Sequence, residues 1–180
     1  MTVASDAGGN VFLSSLCGDV DLAGNQAGID RFCLAKLDPD GTLLWSKVFF
    51  GTGSTIRVDA SENLWIAGYF KGTIDLGGGP LQSAYEMNDL FVAKLDPQGN
   101  HLFSARFGDE GGGDGTQLPG QLVTLPQGGV VLVGVFDGTL SFGGDVFSTV
   151  PSSANGFIAR FDDKGDHVWS RALSDTPTLG

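Results

Sequence analysis

Apolar and polar residues alternate along most of this chain with a period of two, in short runs broken by glycine-bearing turns. The clearest run is LFVAKL, residues 90–95. Phe91, Ala93 and Leu95 fall on one side of an extended strand, and Val92 and Lys94 fall on the other. Asp96-Pro97-Gln98-Gly99 follows, with the chemistry of a tight turn. Pro presets φ, Asp accepts bonds from its own backbone, and Gly supplies φ > 0. A second alternating run, HLFSARF, then completes a predicted β-hairpin. The pattern occurs three times, in residues 32–51, 90–108 and 156–173. Helical periodicity is absent, so essentially no helix is expected.

Around each hairpin the same order of elements repeats. The first unit opens with a short strand from Val3 to Asp6, a Gly8-Gly9-Asn10 turn and a strand from Val11 to Leu16. The second has strands at Ile56–Asp59 and Leu64–Phe70, then a short extended piece, Ile74-Asp75-Leu76, broken by Gly77-Gly78-Gly79-Pro80. Residues 56–107 align with 122–173 without a gap, and 12 of those 52 positions are identical. The unit boundaries fall at about 2–55, 56–120 and 121–180, with four main strands in each. Small sheets of this kind cannot bury both faces alone and must stack. The fold predicted for residues 1–180 is therefore all-β: one β-propeller segment of three four-stranded antiparallel blades, open rather than closed. A β-sandwich is the alternative.

Composition supports many tight turns, with 29 Gly among 180 residues, against about 7% in an average chain. The net charge of −11 argues against a nucleic-acid partner, which needs clustered Lys and Arg. No apolar run approaches the roughly 18 residues of a membrane span. Met1 is followed by Thr-Val-Ala-Ser-Asp with no basic leader, so an export signal, if the parent protein has one, is lost or lies upstream. Cys17 and Cys33 stand where the second unit has Phe70 and Phe91. They read as small buried hydrophobes, with a disulfide as the less favoured reading.

The phrases FVAKLDPQGN, VDASENLWIAGYFKGTIDLGGG and LWSKVFFG resemble the bacterial β-propeller repeat (SBBP) family. The resemblance covers nearly the whole chain and is strongest in the second unit. The first unit has Leu16-Cys17-Gly18-Asp19 in place of the FxGT element, and the third has Leu125-Pro126-Gln127-Gly128-Gly129 in place of the VDxxGN turn. The resemblance implies a propeller in an exported or surface-attached bacterial protein, and little about chemistry.

The sequence assigns no catalytic, cofactor-binding or metal-binding residue. His101 and His167 hold equivalent positions and read as exposed loop-edge residues; Leu43 breaks a ring of three. Asp38, Asp96 and Asp162 read as turn-initiating residues, supported by Gly41, Gly99 and Gly165. Lys36, Lys94 and Arg160 read as solvated partners of a carboxylate across a blade. Asp109-Glu110 with Asp114, and Asp162-Asp163-Lys164-Gly165-Asp166, are weak calcium candidates without the ligand spacing of a calcium loop. Gly77-Gly78-Gly79 lacks the GK[ST] of a phosphate loop. Trp45, Phe103 and Trp169 are equivalent, as are Phe70 and Phe136, and all are expected to be largely buried between blades.

The leading functional expectation is a non-catalytic scaffold or binding module, not an enzyme, contacting protein or carbohydrate from one rim. The alternative is part of a propeller enzyme, a lyase or glycosidase, with its site at the central channel. Three blades do not close a ring. The remaining blades are expected from a longer chain, the favoured reading, or from a second copy.

Overall fold

The computed structural model describes residues 1–18, 21–24, 28, 30–84, 87–108, 115–150 and 153–173, with the side chain of Ser54 left aside. Three antiparallel four-stranded sheets follow one another, each a meander in chain order. Blade one holds β1 (Thr2–Ser5), β2 (Val11–Leu16), β3 (Arg31–Leu37) and β4 (Leu43–Phe50). Blade two holds β5 (Thr52–Val58), β6 (Leu64–Phe70), β9 (Asp89–Leu95) and β10 (His101–Phe107), with a small hairpin, β7 (Thr73–Asp75) and β8 (Pro80–Gln82), between its middle strands. Blade three repeats this with β11 (Gln117–Thr124), β12 (Val130–Phe136), β15 (Asn155–Phe161) and β16 (His167–Leu173), and the hairpin β13 (Thr139–Ser141) with β14 (Val146–Ser148). No helix occurs among the described residues, and none is long and apolar enough to cross a membrane. β5 begins at Thr52 and β11 at Gln117, earlier than the unit boundaries read from the repeat. In both strands a register shift lets the chain continue as a strand through residues 53–55 and 119–121.

The period-two alternation decides how the blades stack. In blade two, Leu64, Ile66, Phe91, Ala93 and Leu95 turn one way, into a core shared with Phe12, Phe32 and Leu34 of blade one. Trp65, Ala67, Leu90 and Val92 turn the other way, into a core shared with Leu132, Phe157, Ala159 and Phe161 of blade three. A strand buried on both faces reads as nearly continuous apolar sequence, and β9 is buried along its whole length. Gly68 makes room for Phe91, and Gly134 for Phe157: a Cβ at either glycine would run into the ring. Full burial of one such side chain contributes about 1.5–3 kcal/mol.

The three hairpins form as the sequence predicts. Gly41, Gly99 and Gly165 take φ of 83°, 80° and 92°. Each hairpin also carries a bulge beside its turn, so that Trp45 lies opposite Lys36, Phe103 opposite Lys94, and Trp169 opposite Arg160. The aromatic residue and the cation thus share the face that looks toward the following blade.

Burial of the aromatics departs from expectation at one end. Phe70 and Phe136 are buried, at 1% and 0% exposure, whereas Trp169 is 37% exposed. Trp45 and Phe103 are half-buried. The difference is positional, since a further blade lies against Trp45 and Phe103 and, among the described residues, none lies against Trp169. Cys17 and Cys33 form a disulfide, against the favoured reading as two separate small hydrophobes. Ser15 pairs with Cys33 and the N–H of Cys17 bonds the carbonyl of Arg31, which brings the two Cα atoms within 5.2 Å.

Candidate functional site

Two arrangements of polar side chains stand out, one at the blade junctions and one on an axial rim. The junction arrangement begins with Asp38, Asp96 and Asp162. Each accepts two backbone N–H bonds within its own turn, as read from sequence: Asp96 Oδ1 takes them from Gln98 and Asn100 at 2.9 and 2.7 Å. Lys36 and Lys94 correct the sequence reading, because they are buried rather than solvated. Lys36 pairs with Asp6 at 3.1 Å and Lys94 with Asp59 at 3.3 Å, each within its own blade. Both then reach the turn of the next blade. Lys36 Nζ donates to the carbonyl of Pro97 at 3.5 Å, and Lys94 Nζ to the carbonyl of Asp163 at 2.9 Å and to its carboxylate at 2.6 Å. They are buried because they lie on the face that the following blade covers. Burial acts on the Asp59 carboxyl to raise its pKa. The N–H and amide of Asn63 and the charge of Lys94 outweigh it, so the net shift is downward. Asp6 follows the same pattern with Asn10 and Lys36.

Arg160 stands at the equivalent place in blade three, but position 125 is Leu where the other blades have Asp6 and Asp59. Its Nε is buried without a hydrogen-bond partner. Asp163, one of the weak calcium candidates, serves the turn that holds Lys94. Among the described residues no group of three His, Cys, Asp or Glu side chains is placed to hold a metal ion. The run from Asp109 to Asp114 lies outside the described residues.

The histidines begin β10 and β16 beside the turns, as read, but they are not exposed. His101 is half-buried, with Nε2 2.9 Å from the hydroxyl of Ser104, and His167 stands 3.0 Å from Ser170 in the same way. Each ring is roofed by the glycine loop of its blade's small hairpin. A Cβ at Gly78 would strike His101, and one at Gly144 would strike His167. Gly77 and Gly78 therefore make room for His101, and the two histidines stay in separate blades as packing residues.

The rim arrangement is a cleft of about 720 Å3 between blades one and two. Antiparallel strands bring the ends of β2, β4 and β6 and the starts of β3 and β5 to one axial end, and their residues line it. Leu16 and Phe70 supply apolar wall. Asp30, Arg31, Thr52, Tyr69, Lys71 and Asn88 supply the polar groups. Gly51 holds the two blades together here: its N–H bonds the carbonyl of Asp30 at 2.9 Å, and a Cβ would meet Tyr69 and Phe70. Asp30 itself adopts φ of 55°, a conformation costly for most non-glycine residues that clusters at functional sites. The Arg31 guanidinium lies 3.9 Å over the ring of Phe50. In a chain with net charge −11, two cations and a single carboxylate line this cleft among the described residues. Sequence reasoning missed the site because its residues come from strand ends far apart in the chain, and those that lie in the repeat phrases, Gly51, Tyr69, Phe70 and Lys71, were read as marks of the fold.

No family model matches the chain, and no curated protein matches it. Among solved structures, the crystal structure of Pseudomonas brassicacearum lignostilbene dioxygenase is similar with a TM-score of 0.42 and 19% identity. The likeness covers 93% of this chain and 36% of that one, so the chain spans little more than a third of that protein. That structure is an enzyme, in contrast to the non-catalytic scaffold or binding module expected from the sequence. At that TM-score and identity it carries no argument about chemistry, which must come from the chain's own residues.

Proposed function

We propose that the chain is part of a propeller enzyme of the lyase kind, acting on an acidic carbohydrate at the cleft between blades one and two. The observation that carries this reading is the charge of the cleft. Arg31 and Lys71 suit a substrate carboxylate, and Thr52 and Asn88 suit hydroxyl groups. Glycosidase chemistry needs two carboxylates flanking one bond, and among the described residues this cleft offers one, Asp30. β-Elimination needs no second carboxylate. A base takes the proton on the carbon beside the substrate's carboxylate, the electron pair forms a C=C bond, and the adjacent C–O bond breaks, its oxygen leaving with a proton. The cations stabilise the charge that develops on the substrate carboxylate. Tyr69 and Asp30 are the cleft groups able to move the proton.

The SBBP resemblance and an exported or surface location belong to the same proposal. The Cys17–Cys33 disulfide supports the location, because such bonds persist in oxidising compartments. The full ring takes further blades, from a longer chain or a second copy.

The test is binding and turnover of acidic and neutral oligosaccharides of equal length, followed by calorimetry and by the ultraviolet absorbance of an unsaturated product. The acidic sugar should bind and be cleaved. Arg31→Ala should weaken its binding at least tenfold, and Tyr69→Phe or Asp30→Asn should abolish product. Equal affinity for the neutral sugar, or no binding of either, would overturn the reading.

A further inference from the structure

We infer that two copies of this chain associate head to tail, with Trp169 and Arg160 of one copy seated on the turn Asp38-Pro39-Asp40-Gly41 of the other. This rests on the stacking of blades and not on the chemistry of the cleft, so a chain without lyase activity leaves it standing.

The two internal junctions define what the contact looks like. At the first, Trp45 lies against Gly99, where a Cβ would come within 3.3 Å of the indole. Its Nε1–H donates to the carbonyl of Pro97 at 3.1 Å, beside the bond from Lys36. At the second, Phe103 lies against Gly165, where a Cβ would come within 2.6 Å of the ring, and Lys94 takes the turn carbonyl. Gly99 and Gly165 are buried as a result. One blade thus supplies an aromatic residue and a cation, and the next supplies a turn carbonyl and a bare glycine.

The two ends of the chain carry the unmatched halves of this device. Blade one presents the turn with none of the described residues on it. Gly41 has no atom within 4 Å of a built Cβ, and Pro39, Asp40 and Gly41 are exposed. Blade three presents the aromatic and the cation, with Trp169 37% exposed and Arg160 Nε buried but unpartnered.

The identities at the ends also match. Where the aromatic is Trp45, the receiving turn has Pro97, whose carbonyl takes the indole N–H; where it is Phe103, which has no N–H, the turn has Asp163. At the free ends Trp169 would meet Pro39, the pairing of the first junction. The Asp40 carboxylate beside Pro39 adds charge complementarity to Arg160. Such a contact is heterologous, so it closes a ring or runs on as a filament. Two copies place three blades each around one axis, six in all, within the four to eight usual for propellers.

Light scattering on the 180-residue chain tests this with two variants. Trp169→Ser removes the aromatic from an exposed site. Gly41→Asn fills the seat with a residue that tolerates φ > 0 and meets none of the described residues of its own chain. The wild type should have the mass of two copies. Each variant alone should have the mass of one, with an unchanged thermal transition at dilute concentration. An equimolar mixture of the two variants should recover the two-copy mass, because one complete contact remains between them. Should Trp169→Ser fail to fold, the halved mass of Gly41→Asn still decides. A one-copy mass for the wild type at the highest soluble concentration would overturn the inference, as would a two-copy mass for Gly41→Asn or a one-copy mass for the mixture.

Discussion

Lys94 of the second blade reaches Asp163 of the third at 2.6 Å while its other contact, at 3.3 Å, is with Asp59 of its own blade. The two carboxylates are not equivalent. The Asp59 side chain is 3% exposed and that of Asp163 is 61% exposed. Removing one partner of a buried ion pair costs about 3–5 kcal/mol, because the other charge is left without compensation. Bonds from Ser61, Asn63 and Trp65 to Asp59 lessen that cost here. Lys94→Met should therefore destabilise by about 3 kcal/mol in urea unfolding. Asp163→Asn should cost less than about 1 kcal/mol, as exposed pairs do. Equal losses for the two would mean that the blade junction, and not the internal pair, carries the energy.

Stability should fall in acid through Asp59. Its pKa in the folded chain lies below the ordinary value of 3.8: burial raises it, and the bonds from Asn63 with the charge of Lys94 lower it by more. A carboxyl held lower in the folded than in the unfolded state favours folding when ionised. That contribution is fully present above the ordinary value and is lost as pH falls through the folded value. Unfolding free energy measured downward from neutral pH should thus decline below about pH 4. Asp59→Asn should flatten that part of the curve. An unchanged slope in the variant would assign the acid sensitivity elsewhere, with Asp6 the next candidate by the same chemistry.

Equivalent turn glycines should respond differently to one substitution. Asn tolerates the positive φ shared by Gly41 and Gly99. At Gly99 its side chain would meet Lys47 and Trp45, whereas at Gly41 it would meet nothing. Gly99→Asn should cost about 1–3 kcal/mol from overpacking, and Gly41→Asn less than about 0.5 kcal/mol in the isolated chain. Thermal unfolding of the two variants side by side checks this.

The Cys17–Cys33 disulfide closes a loop with a sequence separation of 16. Loops of that length contribute about 3 kcal/mol by restricting the unfolded chain. Cys17 and Arg31 also line the rim cleft. Reduction, or a Cys17→Ser, Cys33→Ser double variant, should lower the unfolding midpoint and weaken anion binding together. Lower stability with unchanged binding would separate the disulfide from the cleft.

The amino-acid sequence by itself determined the four main strands of each unit and the hairpins that join the last two, because these depend on local rules, but not the small hairpins β7–β8 and β13–β14. Period-two alternation makes a strand, and the Asp-Pro-Gln-Gly turn with its two equivalents supplies the left-handed glycine that the loop needs. The equivalence of Lys36, Lys94 and Arg160 was legible too, but their environment was not. Alternation shows that Lys94 lies opposite Leu95 in the pleat, and it cannot show that a further blade covers that face. The same limit hid the exposure of Trp169, which, unlike Trp45, no described blade covers. His101 looked exposed because the hairpin that roofs it comes more than twenty residues earlier in the chain. The cleft at Asp30, Arg31 and Tyr69 was decided by tertiary structure alone. It is made where strand ends of two blades converge on Gly51, a contact across sequence that no local pattern encodes.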